Sequence, residues 1–162
     1  MGKFAINNSG TISVSEGIPN TFKVSGGAVI GGGSTLSEAE ALEKGFFPVV
    51  MPDDYDERIH NLSQIFFVSA EQIYTYTKTN KTWSESLADL KANKIVNLKS
   101  QANRLLESTD WYIIRKAELG TEIPSEVTTA RATIKTNVDT KESEINVLTS
   151  KASVVVYGIN LE

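Results

Sequence analysis

The chain contains no cysteine and a single histidine, His60, among its 162 residues. The first absence excludes disulfides and thiolate metal sites. The second leaves any His-based metal centre or Ser-His-Asp relay dependent on one side chain. Four prolines leave room for long uninterrupted elements. No apolar run approaches the roughly 20 residues that span a bilayer. No charged n-region precedes an apolar h-region, so neither a secretory signal nor membrane insertion is expected. Positive charge is not in excess either: the net charge is −4, which argues against nucleic-acid binding.

What remains is ordinary globular material, with 40% hydrophobic and 22% charged residues, enough to bury a core. The first third is strand-like. Phe4 and Ile6 alternate with polar neighbours, Asn7-Asn8-Ser9-Gly10 signals a turn, and Thr11-Ile12-Ser13-Val14 alternates again. This spacing predicts a β-hairpin with a turn longer than the tight Asn-Gly type. Thr21-Phe22-Lys23-Val24 is a third short strand. The Gly26-to-Gly33 run lacks both the Lys of a phosphate loop and GxGxxG spacing, so it is a hinge or a closely packed arm.

Thr35-Leu36-Ser37-Glu38 has capping-box spacing for a short helix, which Gly45 ends. Phe46 to Val50 is an apolar strand held at an edge by Pro48. Asp53, Asp54, Asp56 and Glu57 form an acidic turn without the central Gly or distal Glu of a calcium loop. They are expected to be solvated, and no metal or other cofactor is expected. His60 beside Asp56 is expected to be a surface or structural residue. Ile65 to Val68 and Ile73 to Thr77 are strands, with Ser69 to Gln72 as the turn and Asn80 as the close. Phe66, Phe67, Tyr74 and Tyr76 pack across strands, because the basic groove of a single-strand binder is missing.

The second half is helical. Thr82-Trp83-Ser84-Glu85 has capping-box spacing, and Ile95, Leu98, Ala102, Leu105 and Thr109 recur at spacings of three and four. Asp110 opens a further helical turn whose apolar surface is Trp111, Ile113, Ile114 and Ala117, and Gly120 ends it. After Ile123-Pro124, Val127, Ile134, Val138, Lys141, Ile145 and Leu148 keep a seven-residue rhythm, with Arg131 in one slot. The two stripes fit an antiparallel pair bent at Asp110 to Pro124, and equally an intermolecular bundle. Val154 to Ile159 is expected to be a strand.

The expected fold is therefore α+β: a small Gly-rich β part over 1–82, a helical hairpin or bundle over 83–150 and a β-like tail over 151–162. Ile95, Leu98, Leu105, Trp111, Ile114, Ile134, Val138 and Ile145 are the candidate structural and interaction residues. No base and nucleophile occur beyond ordinary surface positions, so an enzyme is not expected.

One stretch carries a resemblance. Leu90-Lys91-Ala92 through Arg104-Leu105-Leu106, then Thr109-Asp110-Trp111-Tyr112-Ile113-Ile114-Arg115-Lys116, Ile123-Pro124 and Arg131, resembles a helical module of small tail proteins of tailed bacteriophages. Gly45-Phe46-Phe47-Pro48-Val49-Val50 is similar to the motif that precedes this module. The match covers about 43–135, and its distinctive part is the Thr-Asp-Trp junction with the downstream Ile-Pro. Such proteins include tail fibre and baseplate components and tail fibre assembly proteins. The resemblance implies a non-enzymatic protein, made in the host cytoplasm, that contacts other phage tail proteins. It implies either a virion part that self-associates, with a trimer favoured, or an assembly chaperone absent from the virion.

Overall fold

The computed structural model describes residues 2–23 and 28–161. The chain divides into two compact units, Met1–Lys81 and Thr82–Glu162.

The first unit is built of short strands. Strands β1 (Lys3–Asn8) and β2 (Thr11–Glu16) form an antiparallel hairpin in which Asn8 faces Thr11. The turn is tighter than the four-residue signal suggests. Ser9 and Gly10 make it alone, both at positive φ (53° and 94°), as the type I′ hairpin turn requires. The Asn7 carboxamide accepts the Gly10 amide at 2.8 Å. Strand β3 (Thr21–Lys23) pairs with β4 (Val29–Gly31). Part of the glycine run, Gly26 and Gly27, lies outside the described residues. Within the described part, Gly33 is closely packed: a Cβ there would come within 2.0 Å of the Pro19 carbonyl.

Helix α1 (Glu38–Glu43) is capped by Ser37 and Glu40 rather than by Thr35 and Glu38. Thr35 is instead the last residue of a 3-10 turn, its hydroxyl bonded to the Gly32 carbonyl at 2.8 Å. Strand β5 (Phe47–Pro48) completes a three-stranded sheet of order β2-β1-β5. On this sheet rests a core of Ile6, Phe22, Ala41 and Phe46, with the Phe22 and Phe46 rings edge-to-face at 4.6 Å.

Two further ribbons follow: β6 (His60–Leu62) with β9 (Lys78–Asn80), and β7 (Phe66–Val68) with β8 (Ile73–Thr75). Asn80 thus pairs with His60 instead of closing the preceding strand. Phe67 lies 5.1 Å from Tyr74 across β7 and β8, the expected cross-strand packing for this pair, and 4.7 Å from the Phe47 ring, whereas Phe66 is exposed. The acidic turn is tied down by cations and backbone. Arg58 holds the Asp56 carboxylate, and the Lys78 and Lys81 ammoniums donate to the Asp53 and Glu57 carbonyls. His60 serves the same turn, its Nδ1 accepting the Asp56 amide at 3.0 Å.

The second unit is helical. Helix α2 (Leu87–Glu107) begins one residue after Ser86, whose hydroxyl and Asp89 form the capping box; the expected Thr82–Glu85 box is not used. Helix α3 (Asp110–Leu119) ends at Gly120 in the left-handed region, where glycine carries no Cβ penalty. Helix α4 (Ser125–Val147) follows Pro124. Cross-links fix its direction. Lys91 donates to the Asn146 carbonyl, Lys99 pairs with Glu142, and Arg131 reaches Leu106 and Thr109. Numbers rise along α2 as they fall along α4, so the pair is antiparallel.

The expected C-terminal strand is absent. Lys151–Val156 is helix α5 instead, started by the Ser150 hydroxyl, which accepts the Ser153 amide at 3.0 Å. The β-branched run Val154-Val155-Val156 has strand propensity, but a serine cap and tertiary docking override it. Lys94 donates to the Val155 carbonyl and Lys141 to the Gly158 carbonyl. Leu161 ends buried in one cluster with Leu98, Ala102 and Ile145, flanked by Tyr157 and Ile159. The tail is part of the helical core.

Candidate interaction site at the helical corner

The eight candidate residues fall into two groups. Leu98 and Ile145 are fully buried, and Ile95, Ile134 and Val138 are packed against them. These five join α2 to α4 within the chain. Leu105, Trp111 and Ile114 are not part of that core. Trp111 is 48% exposed and Ile114 56%. The expected apolar surface of α3 exists, and within the helical unit its residues stay largely exposed, with only the Arg115 guanidinium laid over Trp111.

The corner that presents this surface is built by Arg131. Its guanidinium donates to the Leu106 carbonyl at 2.9 Å and to the Thr109 hydroxyl at 2.6 Å, and it pairs with the Asp110 carboxylate at 2.9 Å. The Thr109 hydroxyl itself donates to the Leu106 carbonyl at 2.8 Å. One planar cation therefore caps the end of α2 and neutralises an acid in the first turn of α3. A flat guanidinium with several fixed donors suits this task, and an ammonium does not. Arg131 sits in a slot of the α4 apolar stripe, and a charged residue in that slot was the one sign of this role in the sequence. Its partners could not be read there, because they lie 21 to 25 residues away.

Beyond the corner, Trp111 and Tyr112 stack with ring centroids 3.8 Å apart. The Arg115 guanidinium covers both, at 4.9 Å from the Trp111 centroid and 5.8 Å from that of Tyr112. Lys116 is engaged by Glu122 at 2.7 Å. Spacings of three put Trp111, Ile114 and Ala117 along one face of α3, with Ile113 on its flank four residues before Ala117 and Asp110 and Glu118 near its two ends. Among the described residues, the Glu118 side chain has no ion pair or hydrogen bond. The site is an exposed apolar strip with one unpaired acid, Glu118, near its C-terminal end, because Asp110 is taken by Arg131.

Among the described residues, no three His, Cys, Asp or Glu side chains converge on a point where a metal ion would sit. Among them, too, no helix is long and apolar enough to cross a membrane. No protein-family model, curated protein or solved structure matches the chain.

Proposed function

We propose that this protein is a structural, non-enzymatic component of a bacteriophage tail, acting in a fibre, baseplate or connector through protein–protein contacts. The observation that carries the reading is the exposed apolar face of α3. It is displayed by the same residues, Thr109-Asp110-Trp111 and Arg131, whose pattern resembles that of small tail proteins. Exposed aromatic and aliphatic residues grouped on a rigid element mark contact surfaces more than isolated exposed ones do.

Self-association has its own support in β2. This strand is the free edge of its sheet among the described residues. The Gly17 amide donates to the Gly2 carbonyl at 3.0 Å, so by the antiparallel alternation Ile12, Val14 and Glu16 turn their backbone groups away from β1. The strand carries no Pro or Lys to block addition of another strand.

The test is mass spectrometry of purified tailed particles produced together with this protein. Stoichiometric presence is expected. Absence from mature particles, with recovery on unassembled fibres, overturns the virion reading in favour of an assembly chaperone.

A further inference from the structure

We propose that His60 is a pH-sensitive latch on the 53–60 turn, closed while its imidazole is neutral and released when the ring takes a second proton. The inference stands apart from the tail reading and needs no partner.

The latch is a pair of reciprocal hydrogen bonds. The His60 amide donates to the Asp56 carbonyl at 2.9 Å. In return the Asp56 amide donates to His60 Nδ1 at 3.0 Å. A ring nitrogen accepts only through a free lone pair, so Nδ1 is bare and the one ring proton sits on Nε2. An imidazolium carries a proton on both nitrogens. Protonation therefore replaces the acceptor of the Asp56 amide with a second donor pointed at it, and the bond is lost. Histidine is the side chain suited to make this change between about pH 8 and about pH 5.

The turn depends on such ties. Asp54 sits in the left-handed region at φ 55°, which carries a steric cost for a residue with a Cβ. Two other ties are the Lys78 and Lys81 ammoniums, which donate to the Asp53 and Glu57 carbonyls. An ammonium has no further proton to take up, so acid leaves these two bonds alone. The bond to His60 Nδ1 is the tie that acid removes.

The charges around the ring agree with this direction. Both oxygens of the neighbouring Asp56 carboxylate accept from the Arg58 guanidinium. Those hydrogen bonds hold the Asp56 pKa down at about 2, so this carboxylate does not change as the ring does. Asp53, Asp54 and Glu57 add exposed carboxylates in the same turn. The cations facing the turn are Arg58 from within it and Lys78 and Lys81 from β9 and the residue that follows it. An imidazolium is drawn off the amide towards the acids and away from these cations.

The experiment is an NMR titration of the full chain from about pH 8 to about pH 5. At the upper end the imidazole nitrogen resonances should place the proton on Nε2. As the ring titrates, the Asp56 amide resonance should move with the same midpoint. Its protection against hydrogen exchange, corrected for the intrinsic rate, should fall by about two- to tenfold, the range for loss of one hydrogen bond. His60→Asn offers a carbonyl oxygen near the Nδ1 position and cannot titrate. Its Asp56 amide should stay protected throughout. His60→Leu has no acceptor and should lack this protection throughout. If His60→Leu fails to fold, the unmodified chain and His60→Asn still decide. A proton on Nδ1 at the upper end overturns the proposal. So does an Asp56 amide that ignores the titration of the ring. A pH response that survives in His60→Asn overturns it as well, by placing the switch on another group.

Discussion

Asp56 shows how one side chain fixes a loop that composition alone describes only as acidic. Its carboxylate accepts from the Arg58 amide at 2.8 Å and from the Arg58 guanidinium at 2.6 to 3.1 Å. Side-chain and backbone hydrogen bonds from Arg58 hold its pKa down at about 2. A carboxylate whose folded pKa lies below its unfolded value of about 3.9 stabilises the fold above that value. The contribution is lost as pH falls from about 4 through about 2. Carboxyl NMR titration should therefore find Asp56 with a midpoint near 2, returning towards the ordinary aspartate range in Arg58→Met. An ordinary midpoint in the unmodified chain would break this account. A second contrast at this scale separates core from surface. Ile145→Ala, at a fully buried position, should cost about 2–5 kcal/mol. Trp111→Ala, at a half-exposed one, should cost under about 1 kcal/mol. Urea midpoints decide between them. The sequence places both residues on apolar stripes, and periodicity alone cannot say which stripe finds a mate within the chain.

At the scale of elements, the corner between α2 and α3 is where motif and mechanics coincide. Thr-Asp-Trp reads in the sequence as a junction, and the junction is there. The residue that makes it rigid is Arg131, on a different helix. Arg131→Lys should destabilise the helical unit by about 1–3 kcal/mol despite keeping the charge, because one ammonium cannot reach Leu106, Thr109 and Asp110 in the guanidinium geometry. A thermal melt unchanged by this substitution would show that charge alone suffices. The helices were legible from their stripes and from Gly120 and Pro124. Their starts were legible less well. Both expected capping boxes are displaced along the chain, to Ser37–Glu40 and Ser86–Asp89. In each segment three serine or threonine residues lie within reach of the helix start (Ser34, Thr35 and Ser37; Thr82, Ser84 and Ser86), and the last of them caps it. The valine run near the C-terminus misled for a related reason. Its strand propensity is local, whereas the Lys94 and Lys141 contacts that hold this segment against α2 and α4 are not.

At the scale of the whole molecule, the two hydrophobic clusters lie in separate units, one in Met1–Lys81 and one in Thr82–Glu162. Each unit has its own core, the condition for folding alone. The fragment 82–162 should be helical by circular dichroism and melt cooperatively. A further truncation to 82–150 tests the division that composition suggests, in which 151–162 is a separate tail. A free tail could be removed with no change in melting. Here the tail supplies Leu161 to the cluster of Leu98, Ala102 and Ile145, with Tyr157 and Ile159 against it. Tyr157 also donates to the Glu144 carboxylate. Deletion uncovers α2 and α4 along that whole contact, so the loss should exceed that of one large-to-small core substitution, at least about 2 kcal/mol. An 82–150 fragment as stable as 82–162 would make the C-terminal segment dispensable to the fold and free it for a partner.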